Sequence, residues 1–172
     1  MKLTIKDMVS FALLGTIMFI SKLVMEFLPN IHLLSVLTMV YTLVYRWKAL
    51  IPLYIYVMLQ GAYAGFAPWW IPYLYIWTVL WAVTMLLPRT LTPKAAVGYS
   101  VVCALHGFSF GTLYAPAQVL ISGLPWESLP AWILSGLSFD AVMGVGNAAL
   151  SVLIVPLAKV LCRARREAQR NW

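Results

Sequence analysis

The side chains in this sequence that could do chemistry are the few polar ones set inside long apolar runs. A polar group in lipid-like surroundings is costly and needs a partner, a ligand or a proton. Lys22 and Glu26 stand four residues apart, which on a helix places them on one face within pairing reach. At helical rise they lie roughly 21–27 Å beyond Met8, close to one membrane surface. They read either as an interfacial ion pair or as polar contacts at the mouth of a site. His106 falls about nine residues into one apolar run and Asp140 about nine into the next, which puts each roughly 13 Å deep. On antiparallel helices the two meet at mid-membrane. That meeting allows an interhelical hydrogen bond, a ligand contact or a proton relay. Asn147 shares the face of Asp140 and reads as interhelical glue.

Aromatic residues supply the second candidate chemistry. Trp69, Trp70, Tyr73, Tyr75, Trp77 and Trp81 fall within a stretch of thirteen residues. Trp69 and Trp70 suit an aromatic belt at the membrane interface, but Trp77 and Trp81 should lie deeper than a belt requires. Tyr114, Gln118 and Trp126 add aromatic and amide groups on the same side. Flat aromatic walls with a few hydrogen-bonding groups suit a planar heterocycle. The expected pocket is therefore walled by Trp69, Trp70, Tyr73 and Trp77, with Tyr114, Gln118 and Trp126 opposite, and with Lys22, Glu26 and His32 as polar contacts. Pro68 and Pro72 would hold the aromatic connection rigid.

Enzymatic groups are missing from the sequence. It has no His-Glu-x-x-His and no Walker lysine motif. The two histidines, His32 and His106, and the two cysteines, Cys103 and Cys162, are too few for a metal cage or a disulfide framework. The expectation is a protein that is not an enzyme and holds neither metal nor cofactor.

The elements that must position these residues are membrane helices. Of 172 residues, 63% are hydrophobic and 10% charged, against roughly 45–50% and about 25% in soluble domains. The mean hydropathy is +0.88. This excludes a soluble catalytic domain and predicts one all-α membrane domain over residues 1–172. Six spans are expected, at roughly Met8–Phe27, Ile31–Tyr45, Ala49–Gly65, Tyr73–Leu87, Ala95–Ser122 (kinked near Pro116) and Leu129–Leu161. Gly61-x-x-x-Gly65 and Gly107-x-x-x-Gly111 mark close helix contacts. Six spans put both termini on one side. Eleven of the twelve bases collect there: Lys2, Lys6, Arg46, Lys48, Arg89, Lys94, Lys159, Arg163, Arg165, Arg166 and Arg170. The positive-inside rule then places both termini in the cytoplasm of a cell-membrane protein. The opposite loops carry Glu127 and no base, and nucleic acid is not an expected partner.

Six spans, cytoplasmic termini, a basic tail and no ATPase motif resemble the substrate-binding S-component of an energy-coupling factor (ECF) transporter. Leu28-Pro29-Asn30-Ile31-His32-Leu33-Leu34 is similar to the Pro-Asn-bearing entry to the second helix in several S-component families. Leu13-Leu14-Gly15 and the Gly107–Gly111 stretch are also similar. The resemblance covers the layout of nearly the whole chain but only short stretches of sequence. It implies capture of a vitamin or related micronutrient from outside, docking on a transmembrane T-component driven by two ATPases, and toppling of the subunit to release substrate inward. It also implies a docking face on the first helix, here Ala12, Gly15 and Thr16, with Thr16 where the family carries a second alanine. Two other function classes remain open: a self-sufficient small transporter or channel coupled through His106 and Asp140, and an intramembrane enzyme.

Overall fold

Thr4 starts the first helix. Its hydroxyl accepts from the Asp7 N–H and the Asp7 carboxylate accepts from the Thr4 N–H, a reciprocal cap on two otherwise unpaired donors. In the computed structural model, which describes residues 3–170, this helix is α1 (Ile5–Val24). It is followed by α2 (Leu34–Tyr45), α3 (Leu50–Ala64), α4 (Tyr73–Leu86), α5 (Pro93–Phe108), α6 (Phe110–Ile121), α7 (Leu129–Leu150) and α8 (Ile154–Arg170). Single 3-10 turns bridge Arg46–Ala49, Pro68–Trp70, Trp126–Ser128 and Ser151–Leu153. Lys2 lies outside the described residues. No strand occurs among the described residues.

Five helical stretches are long and apolar enough to cross a membrane: Ile5–Val24, Leu34–Ala64, Pro68–Leu86, Pro93–Ile121 and Trp126–Ala168. The second of these does not run straight. Arg46 has φ 55 and ψ −121, a left-handed conformation that side chains disfavour. Contacts with α1 show what that turn does. Asp7 pairs with Lys48 at 2.9 Å, Gly15 lies under Ile55 and Phe19 meets Tyr63 at 5.6 Å, so α1 and α3 run the same way. Phe11 meets Tyr45 and the Tyr41 hydroxyl donates to the Leu14 carbonyl, so α2 runs the other way. The chain therefore doubles back at Arg46.

Helix α2 is the axis of the bundle. Every residue from Leu34 to Val44 is buried, and a helix that is apolar all round must be enclosed. Its neighbours are α1, α4, α5, α7 and α8. Hydroxyls on these apolar helices, such as Thr42 and Thr84, donate back to carbonyls four residues earlier and so need no outside partner.

Small residues set the remaining packing. A Cβ on Gly107 would stand 2.8 Å from the Gly144 Cα, so α5 and α7 approach backbone to backbone there. Gly61 was expected to serve helix pairing. It instead admits the Phe66 and Trp70 rings of the following connection, and Gly65, at φ 90, ends α3.

Candidate functional site

The fifth apolar run is broken at Ser109, not near Pro116. The Gly111 N–H points to the Asp140 carboxylate of α7, with oxygens at 2.8 and 3.0 Å. A carboxylate at the start of α6 also faces the positive end of that helix's dipole. Gly111 is required for the approach, because a Cβ there would stand 2.6 Å from Asp140 Oδ2. Asp140 is thus a cap reaching across helices, and its expected pairing with His106 does not occur. The His106 Nε2–H instead donates to the Ile76 carbonyl of α4 at 3.3 Å. With Nε2 protonated, neutral His106 presents Nδ1 as an acceptor.

That Nδ1 is buried without a hydrogen-bond partner, and it has company. His32 Nδ1, the Tyr56 hydroxyl, Gln60 Oε1 and Trp77 Nε1 are also buried and unpartnered. Four of them, His32, Tyr56, Trp77 and His106, come together in one place. The Trp77 ring lies 5.9 Å from His32, 6.3 Å from Tyr56, 5.5 Å from His106 and 5.6 Å from Phe110. Gln60 stands one helical turn beyond Tyr56 on the same face of α3. Trp77 and Tyr56 are fully buried. Each unpartnered buried group typically costs about 1–3 kcal/mol. Four such groups in mutual contact, with a fifth one helical turn away, is a concentration that ordinary packing avoids.

Rings connect this cluster to the end of the bundle away from the bases. Trp69 meets Tyr73 edge-on at 5.6 Å, and Tyr73 meets Trp77 at 6.0 Å. On the other side Phe110 stacks on Tyr114, and Tyr114 lies parallel to Trp132 at 5.8 Å. A cleft of about 190 Å³ opens here, lined by Asn30, Phe110, Tyr114, Trp132, Asp140 and Met143 among others. Phe110 lines the cleft and also touches Trp77 and His106, so it stands between the cleft and the unpartnered atoms.

Of the residues expected to wall the pocket, Tyr73, Trp77, His32 and His106 come together, with Trp69 and Tyr114 beside them. Trp70 turns away: its indole N–H donates to the Val57 carbonyl and its ring packs on Phe66. Gln118 donates to Ser122 on its own helix, and Trp126 is 57% exposed at the bundle end. Lys22 and Glu26 form no ion pair. Helix α1 ends at Val24, so the helical spacing that would align them is lost before Glu26. Gly15 leaves the expected docking face, being covered by Ile55 and the Pro52 carbonyl, while Ala12 and Thr16 remain exposed. Tyr56, Gln60 and Phe110 were not foreseen. Gln60 carried a legible signal, an amide within an apolar span.

The bundle and its enclosed polar cluster define a helical protein with five stretches long and apolar enough to cross a membrane and an internal candidate site. Comparison of the chain with protein-family models, curated proteins and solved structures gives no match.

Proposed function

We propose that this protein is the substrate-capture subunit of an ECF-type importer. It binds a vitamin or related planar heterocyclic micronutrient from outside and delivers it inward with a T-component and two ATPases. The observation that carries the capture function is the set of buried, unpartnered polar atoms gathered around Trp77. A folded protein keeps such groups unpaired where a guest completes them.

The helix directions support six passes through the membrane. The stretch Leu34–Ala64 counts as two, because the chain doubles back at Arg46. Helices α5 and α6 form one pass, as do α7 and α8. On this reading the basic residues Lys6, Lys48, Arg89 and Arg165 gather at the end where α1 begins and α8 finishes, which supports cytoplasmic termini. The aromatic cleft then faces outward. The exposed small face at Ala12 and Thr16 is the surface on which the T-component packs, since small side chains let membrane helices approach closely.

Co-expression with a T-component and its ATPases tests the proposal. Uptake into cells should require all partners and should vanish with an ATPase-inactive variant. Uptake by the purified chain alone in liposomes would replace this function with gradient-driven transport. Ala12→Trp or Thr16→Trp should abolish uptake while the isolated subunit still binds. Undiminished uptake by both variants would remove this face from the docking surface.

A further inference from the structure

The polar atoms around Trp77 also restrict what the guest can be, and this step rests on the capture function proposed above. Gln60 Oε1 can only accept a hydrogen bond. His106 Nδ1 accepts, because Nε2 of the same ring donates to Ile76. Trp77 Nε1 can only donate. The Tyr56 hydroxyl and His32 Nδ1 can do either. A guest that completes this set carries at least one N–H or O–H donor and at least one acceptor, presented from an edge that fits among rings.

Charge narrows the choice further. None of the five carries a fixed charge. Asp140 is on the far side of Phe110, with its carboxylate engaged by the Gly111 N–H. An ion buried without a partner costs far more than a neutral group that is hydrogen-bonded. We propose that the ligand is a neutral planar heterocycle bearing both a ring N–H and a carbonyl or ring-nitrogen acceptor, which enters from the cleft by displacing Phe110 to reach the polar atoms around Trp77, and that permanently cationic rings are excluded.

The experiment uses the full chain purified in detergent. Yeast extract is passed over ion exchangers and divided into cationic, anionic and unretained neutral fractions. Each fraction is assayed for thermal stabilisation and for saturable change in tryptophan fluorescence. Lumazine, neutral with ring N–H groups, is compared with its 1,3-dimethyl derivative, and nicotinamide with the cation 1-methylnicotinamide. The expected result is stabilisation confined to the neutral fraction. The N–H-bearing or neutral member of each pair should bind at least tenfold better. Gln60→Leu should weaken binding of the active fraction at least tenfold, whereas Gln118→Leu, on the surface of α6, should not. Activity in a charged fraction, or equal binding of the methylated and cationic probes, overturns this inference and leaves the importer function standing. Stabilisation by no fraction, together with loss of partner-dependent uptake, removes both.

Discussion

The base-rich end of the bundle and the interior around Trp77 treat polar groups in opposite ways. At the basic end, cations close the helices. Arg46 donates to the Met85 carbonyl at 2.6 Å, and its own carbonyl accepts from the Trp81 indole. Arg89 donates to the Leu43 carbonyl at 3.2 Å. Arg165 donates to Val44 at 2.7 Å and lies over the Tyr45 ring. These carbonyls belong to the last turns of α2 and α4, where no intrahelical donor remains and where positive charge meets the negative end of the helix dipole. Around Trp77, polar atoms are left without any such closure. One region satisfies its helix-end carbonyls internally, although Arg46 Nη1 is left buried without a partner, and so fixes the fold. The other holds them in reserve. The contrast locates function better than the count of polar residues, because both regions are rich in them.

The largest effect should come from opening the closed end. In Arg89→Leu with Arg165→Leu, the Leu43 and Val44 carbonyls lose their donors. Each loss is typically worth about 1–3 kcal/mol. Together the two losses come to about 4 kcal/mol and should lower the melting temperature in detergent by about 8–16 °C, with ligand affinity unchanged. A double variant that melts with the parent would erase the contrast, since the basic end would then fix nothing.

A smaller effect tests the boundary between the regions. Gly111→Ala places a methyl group against the Asp140 carboxylate and should destabilise by about 1–3 kcal/mol. Asp140→Asn keeps an oxygen for the Gly111 N–H and should cost less than Asp140→Leu, which leaves that donor buried and unpaired. Equal melting of the Asn and Leu variants would show that Asp140 does not act as a cap.

The all-helical membrane class was legible in composition, because 63% hydrophobic residues cannot be hidden from water in a chain this short. The turn at Arg46-Trp47-Lys48 was legible too, since basic residues interrupt an apolar run there. The break at Ser109 was not. Pro116 is the stronger local signal, but a proline late in a run only removes one donor, whereas Asp140, 29 residues away in the chain, captures the Gly111 N–H across helices. Depth along a helix brought His106 and Asp140 to similar levels, yet depth says nothing about facing direction. His106 faces α4 and Asp140 faces the start of α6. Trp77 was chosen for its depth and proved central. Trp70 shares its residue type and neighbourhood, but its indole finds the Val57 carbonyl.

The smallest change in stability carries the sharpest test of the comparison. Tyr56→Phe removes one hydroxyl and leaves a ring of the same shape. Where a hydroxyl is bonded inside a protein, its removal strands the partner and destabilises, typically by about 1 kcal/mol. Tyr41, whose hydroxyl donates to the Leu14 carbonyl, is the matched control on α2. The Tyr56 hydroxyl is buried and has no partner, so its removal relieves a desolvated group and strands nothing. The free protein should therefore melt at the same temperature as the parent or a few degrees above it, whereas Tyr41→Phe should melt below it. Addition of ligand should reverse the order. The parent gains a hydrogen bond that Tyr56→Phe cannot make, so the variant should bind several-fold more weakly and gain less thermal stabilisation at the same concentration. If Tyr56→Phe lowers the melting temperature of the free protein as much as Tyr41→Phe does, the hydroxyl has a structural partner. The interior around Trp77 would then be closed in the same manner as the basic end.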